Sequence, residues 1–132
     1  MKSAIEIQNI LNEVCFGSAH EVRSAVEKYF SPGYRQFTDG QGSDREAFIQ
    51  HLLALRNHLA GGEIRVDSFL CSGNSFADRH HVRANKVDGS QVELEVYMFG
   101  EIDAHGKILV AHEMTRVISG GGRDSELGRV DR

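Results

Sequence analysis

Apolar residues recur at helical spacing up to Gly61-Gly62 and at strand spacing after it. The first stripe is Ala4, Ile7, Leu11 and Val14, and it stops before Gly17. The second is Val22, Ala25, Val26, Tyr29 and Phe30, stopping at Ser31-Pro32-Gly33, which holds the sole proline. The third is Phe48, Leu52, Leu55 and Leu59. Each is announced by the same S-x-x-E signal: Ser3 with Glu6, Ser18 with Glu21, and Ser43 with Glu46. That spacing lets a serine hydroxyl accept from a free amide of the first turn while the glutamate reaches back to the serine's own amide. Three helices are therefore expected. Between the second and third lies a short β-like stretch, Tyr34 to Thr38, and then a turn, Asp39-Gly40-Gln41-Gly42.

Beyond Gly62, Ile64, Val66 and Ser68 alternate with Glu63, Arg65 and Asp67, the period of a half-buried strand. Turns at Ser72-Gly73-Asn74, Asp88-Gly89 and Asp103-Ala104-His105-Gly106 separate three further strands, Ser75 to Val87, Gln91 to Ile102 and Lys107 to Ser119. Helices first and a meander second make an α+β pattern. Strands this long twist and curl. The expectation is one domain over residues 1–132, a cone-shaped curved antiparallel sheet wrapped on three N-terminal helices, with a pocket at the open end. Gly120-Gly121-Gly122 closes the last strand, and about 120–132 reads as a flexible polar tail.

Counting outward from the turns assigns faces. With Asp88-Gly89 as a two-residue loop, Val87 pairs with Ser90 and His80 falls opposite Tyr97. The same count sets Asp78 by Phe99 and Val82 by Glu95. Paired residues project to one face. A four-residue turn at Asp103 to Gly106 puts Tyr97 opposite His112 and Phe99 opposite Val110. The count thus predicts a polar row of His80, Tyr97 and His112 inside the cone, flanked by Phe99, Val110 and Met114. A three-residue second turn puts Glu113 where the four-residue turn puts His112, so the count leaves those two open. The opposite face collects Arg79, His81, Arg83, Val96, Met98, Ala111, Glu113 and Thr115. Its mixture of charge and apolar groups suits packing on a partner subunit.

Composition narrows the function classes. The net charge is −4 with acids and bases interspersed, which argues against a nucleic-acid footprint. No apolar run approaches membrane-spanning length, and no signal-peptide core follows the start, so the cytoplasm is the expected compartment. Cys15 and Cys71 form no CxxC pair, and both read as reduced, buried, small hydrophobes.

Histidine in an apolar pocket can serve as general acid or base, which makes His80 the first candidate for chemistry. The plainer reading is that His80 and His112 are hydrogen-bonded core or interface histidines. Metal binding needs converging ligands. His80 and His81 are neighbours on a strand and point to opposite faces, so no metal and no cofactor is expected. Asp39 is either a turn-former before Gly40 or a carboxylate at the pocket mouth, its pKa raised by apolar surroundings. Tyr34 and Tyr97 either donate to a ligand oxygen or are core aromatics with a satisfied hydroxyl.

Several segments resemble the SnoaL-like branch of the NTF2-like (nuclear transport factor 2-like) superfamily: Tyr34 to Gly40, Asp44 to Ile49, Arg79 to Ala84, Gly106-Lys107-Ile108 leading to Glu113-Met114-Thr115-Arg116, and Leu127-Gly128. The resemblance runs over nearly the whole chain. It implies an NTF2-like or cystatin-like α+β barrel, usually a homodimer through the sheet face, with one cavity per subunit. Members include polyketide cyclases, ketosteroid isomerase, dehydratases and non-catalytic binders. In the isomerase relatives a carboxylate near Asp39 shuttles the proton, a place that either Asp39 or Thr38 fills. The tyrosine those enzymes carry on the first helix is absent here, and their protonated pocket acid has no clear counterpart. The cyclase relatives use a histidine–aspartate arrangement, to which His80 and Asp39 are similar. Two readings result. One is cofactor-independent acid–base chemistry of isomerase, cyclase or dehydratase type on a small apolar carbonyl compound. The other is a non-catalytic module that binds a small molecule or serves as a dimeric scaffold. The candidate site is His80 and Asp39 for chemistry, with Tyr34, Tyr97, Phe99, His112, Glu113 and Met114 for ligand binding.

Overall fold

The computed structural model describes residues 3–120. In chain order these form α1 (Ala4–Phe16), a single 3₁₀ turn (Ala19–Glu21), α2 (Val22–Tyr29), β1 (Phe30–Thr38), β2 (Gln41–Asp44), α3 (Arg45–His58), β3 (Leu59–Ser72), β4 (Ser75–Lys86), β5 (Gln91–Ile102) and β6 (Ile108–Ser119). The polar stretch of residues 121–132 and Leu127-Gly128 lie outside the described residues. Among the described residues no helix is long and apolar enough to cross a membrane.

The three helices form where the apolar stripes lie; the cap of α1 follows the repeated signal, and those of α2 and α3 do not. Ser3 Oγ accepts from the Glu6 amide at 3.2 Å. Ser18 makes no cap bond, because the 3₁₀ turn intervenes before α2. Ser43 belongs to β2, and the cap of α3 is Asp44, whose carboxylate accepts from the Ala47 amide at 2.8 Å. An aspartate fills that place as well as a serine, and adds charge at the positive helix end. Phe30 begins a strand rather than ending a helix. Pro32 sits inside β1, at the break in its ladder between Phe30 and Arg35, where a missing N–H is tolerated.

The strands make one six-stranded sheet in the order β2-β1-β6-β5-β4-β3, which does not close on itself. β3 to β6 are the expected antiparallel meander. The sheet is mixed, however, because β1 runs parallel to β6. The expected turn over Asp39 to Gly42 is partly a strand: only Asp39-Gly40 turns, and Gln41–Asp44 pairs back onto β1. This is an α+β fold with the helices on the inner face. Ile7, Leu11 and Val14 of α1 and Ile49 and Leu52 of α3 join Tyr34, Phe76 and Met98 of the sheet in one core. Phe30, Tyr34 and Phe48 cluster with ring centroids 4.8 to 5.2 Å apart. At the β3 edge, Asn12 exchanges two 2.8 Å bonds with the Ile64 backbone, and Gln8 accepts from the Val66 amide at 2.9 Å. α1 thus satisfies edge groups that would otherwise invite another strand.

Candidate active site

The β4–β5 turn decides which side chains face inward. Gly89 N–H donates to the Lys86 carbonyl at 3.0 Å, Lys86 N–H donates to the Ser90 carbonyl at 2.8 Å, and Gly89 has φ +93°. The loop is therefore three residues, Val87-Asp88-Gly89, a type of connection that ends on a left-handed glycine. Asn85 faces Gln91, and every pairing moves by one residue from the two-residue count. Tyr97 lies opposite Arg79, and His80 lies opposite Val96. Because faces alternate at every residue, His80 and Tyr97 are on opposite sides of the sheet.

The β5–β6 count differs as well, but by two. Tyr97 pairs with Met114 and Phe99 with His112, so these four share a face as expected. That face is the outer one. Tyr97, Phe99 and Met114 are 52%, 56% and 70% exposed, and His112 is exposed too. None of the four lines the cavity. Glu113, opposite Met98 on β5, faces inward and does line it.

A cavity of about 110 Å³ lies between the helices and the inner face. Its walls are largely apolar, with Leu52, Leu94, Val96 and Met98 among them. The polar groups that reach it include Tyr34, Gln36, His51, His80, Glu113 and Thr115. His80 and Asp78 are two apart on β4 and so share the inner face. The Asp78 carboxylate meets His80 Nδ1 at 3.0 and 3.2 Å. Both side chains are sealed from solvent, at 5% and 0% exposure. An anion at Nδ1 selects the tautomer with its proton there, leaving Nε2 as the ring nitrogen to meet a molecule in the cavity. Asp78 had no role in the sequence reading, although its i, i+2 spacing from His80 carried the signal.

Glu113 stands on the same rung as Met98 and Asp78. Burial pushes its carboxyl above the ordinary carboxylate value. His80 opposes that rise, and the negative charges of Asp78 and Asp39 add to it. A carboxyl so placed favours the protonated form, which can donate a hydrogen bond. Glu113, contributed by β6, is thus a carboxyl with a raised pKa beside the Asp78–His80 pair. The Tyr34 hydroxyl donates to Gln36 Oε1 at 2.7 Å, and Gln36 Nε2 donates to Thr38 Oγ1 at 2.8 Å. Burial, then Glu113 and Cys15, hold the Tyr34 phenol neutral by raising its pKa well above the usual value. Tyr34 therefore lines the cavity as a neutral phenol whose proton is committed to Gln36, at the end of a buried polar ladder.

Asp39 does not line the cavity. Its Oδ1 accepts from the Thr115 amide at 3.1 Å, at the end of β1 beside the strand that carries Glu113. Both cysteines are free, as expected, and only Cys71 departs from the expected burial. Cys71 is exposed, while Cys15 borders the cavity with its thiol pushed up to about 12 by burial and by Glu113. Among the described residues no group of three or more histidine, cysteine, aspartate or glutamate side chains could hold a metal ion.

No family model matches the chain. Solved structures share its architecture at low identity. An NTF2-like protein of unknown function from Exiguobacterium aligns with a TM-score of 0.71 at 16% identity, over 82% of this chain and 96% of that one. A candidate SnoaL-like polyketide cyclase from Jannaschia aligns at 0.65 and 17%, over 87% and 90%. A candidate isomerase of the SnoaL-like family from Agrobacterium tumefaciens aligns at 0.68 and 14%, over 86% and 97%. The open mixed sheet on three helices is the NTF2-like fold. In sequence, an uncharacterised protein of Schizosaccharomyces pombe is 36% identical over 106 residues, 80% of this chain and 81% of that protein. The chain belongs to the same family as that fission yeast protein.

Proposed function

We propose that this chain is a cofactor-independent acid–base enzyme, of isomerase, cyclase or dehydratase type, acting on a small, largely apolar carbonyl compound. The observation that carries the reading is the Asp78–His80 pair beside a cavity that also holds Glu113. His80 Nε2 is the general base that takes a proton from the carbon next to the carbonyl. Protonated Glu113 donates to the carbonyl oxygen and stabilises the enolate as charge develops there. Asp78 orients the ring and stabilises the imidazolium. His80 then returns the proton to a carbon of the substrate or to its leaving group, which restores the starting site. A cavity of about 110 Å³ is somewhat smaller than the roughly 150 Å³ apolar cavity that takes up benzene. That scale fits a monocyclic or short-chain compound. Neighbours described as a candidate cyclase and a candidate isomerase support the same class.

A second observation favours self-association, with a second copy of the chain as the occupant of the outer face. Tyr97, Phe99 and Met114 stand out beside a network in which Arg79 and Arg116 both bond Glu95, at 3.2 and 3.1 Å. Phe37 stacks on His112 at 4.7 Å and extends the patch onto β1. An apolar patch carrying both signs of charge is self-complementary about a two-fold axis. The reading carries with it a cytoplasmic protein with a small-molecule ligand.

The test is deuterium uptake from heavy water at the carbon next to the carbonyl, followed by NMR for a panel of small cyclic ketones. Exchange above background that disappears in His80→Ala supports the proposal. A His80→Ala variant that exchanges like the parent removes the histidine's role.

A further inference from the structure

Asp39 is the one described non-glycine residue with a positive φ, +49°. It opens the two-residue loop Asp39-Gly40, with Thr38 facing Gln41 across it. Asp-Gly is a preferred pair for such a loop, so the turn accounts for the backbone. It does not account for the side chain. β1 runs beside β6 with Gln36 next to Ala111, Phe37 next to His112 and Thr38 next to Glu113. At Asp39 the chain turns out of that ladder. Its N–H still donates to the Glu113 carbonyl at 2.9 Å. The next β6 amide, that of Thr115, meets Asp39 Oδ1 at 3.1 Å. A side-chain oxygen stands in for a backbone carbonyl and continues the ladder for one more residue. The two bonds bracket Met114 and hold the segment from which Glu113 and Thr115 reach the cavity.

We infer that Asp39 is a positioning residue: it locks the β6 segment from Glu113 to Thr115 and so sets where the Glu113 carboxyl stands in the cavity. Its charge acts on the same group. His80 and Asp78 face Glu113 from β4, Cys15 from α1 and Tyr34 from β1, and Asp39 adds a negative charge from the turn at the end of β1, beside β6. The inference rests on the proposed function only in treating Glu113 as a working group; the lock is a matter of backbone geometry.

The full chain tests it by NMR, with Glu113 carboxyl titration and Thr115 amide exchange read in the parent, Asp39→Asn and Asp39→Ala. Asparagine keeps the acceptor oxygen and loses the charge. Thr115 should then stay as protected as in the parent, while Glu113 titrates at lower pH. Alanine loses the acceptor, and Thr115 should exchange roughly fivefold faster or more. An alanine variant with Thr115 still fully protected overturns the inference, and an asparagine variant with the Glu113 midpoint unmoved removes the part played by the charge. If the alanine variant does not fold, Thr115 exchange in Asp39→Gly, which keeps the positive φ and loses the acceptor, decides the lock. Failure of the proposed function looks different: His80→Ala would exchange substrate protons like the parent while both NMR readouts behave as described.

Discussion

Asp78 and His80 are joined through Nδ1 at 3.0 Å, with neither side chain open to water. Asp78→Asn keeps the shape but presents an amide that can donate, which favours the other tautomer and turns the lone pair away from the cavity. The expected loss in proton exchange is roughly 10²- to 10⁴-fold. Asp78→Ala leaves a buried ring nitrogen unpaired and should also lower stability by about 1–3 kcal/mol. Nitrogen-15 shifts of the His80 ring read the tautomer independently of turnover. An asparagine variant with unchanged ring shifts and unchanged exchange would contradict the role of Asp78.

Glu113 gives stability a pH dependence whose sign is fixed. Its folded pKa is raised above the ordinary value of 4.5, so the native state holds the proton more tightly than the unfolded chain. The stability this contributes is fully present below the unfolded pKa and is lost as pH rises through the folded one. Glu113→Gln mimics the protonated side chain. It should match the parent near pH 4 and become the more stable of the two toward about pH 9. Urea midpoints across that range make the measurement, and parallel curves for the two proteins would contradict the raised carboxyl pKa.

The outer sheet face predicts the oligomeric state. Tyr97→Arg or Met114→Glu places charge in the proposed two-fold patch without touching the cavity wall, and either should convert a dimer to a monomer with the fold intact. Sedimentation at tens of micromolar reads the outcome. A parent chain that sediments as a monomer at that concentration removes the proposed second copy.

Gly100 tests the packing behind the site. It lies between Phe76 and Ala111 across the strands, and a Cβ there would stand 2.5 Å from the Phe76 ring and 2.9 Å from the Val110 carbonyl oxygen. Gly100→Ala should destabilise by about 1–3 kcal/mol through overpacking. Chemical denaturation measures it, and an unchanged midpoint would mean that Phe76 moves aside freely.

The helices and the meander were legible because each rests on a local period. Ile7, Leu11 and Val14 are buried where the first stripe put them, and Gln91–Ile102 is a strand over the expected bounds. Face assignment was not legible to the same degree, since it depends on loop length. Val87-Asp88-Gly89 reads as a two-residue Asp-Gly loop or as a three-residue loop ending on glycine, and one residue moves His80 to the other side from Tyr97. β2 was hidden because Gln41-Gly42-Ser43-Asp44 has no apolar alternation; it pairs through backbone alone at the sheet edge. Glu113 as the enclosed acid was equally out of reach, because its neighbours Asp78 and His80 lie two strands away.

The most direct measurement is a crystal structure with phenol, a flat mimic of a small enolate, bound in the cavity. The phenol oxygen is expected within about 3 Å of the Glu113 carboxyl, with the ring edge turned to His80 Nε2. Phenol bound with its oxygen away from Glu113, or found only outside the cavity, would contradict the acid–base site.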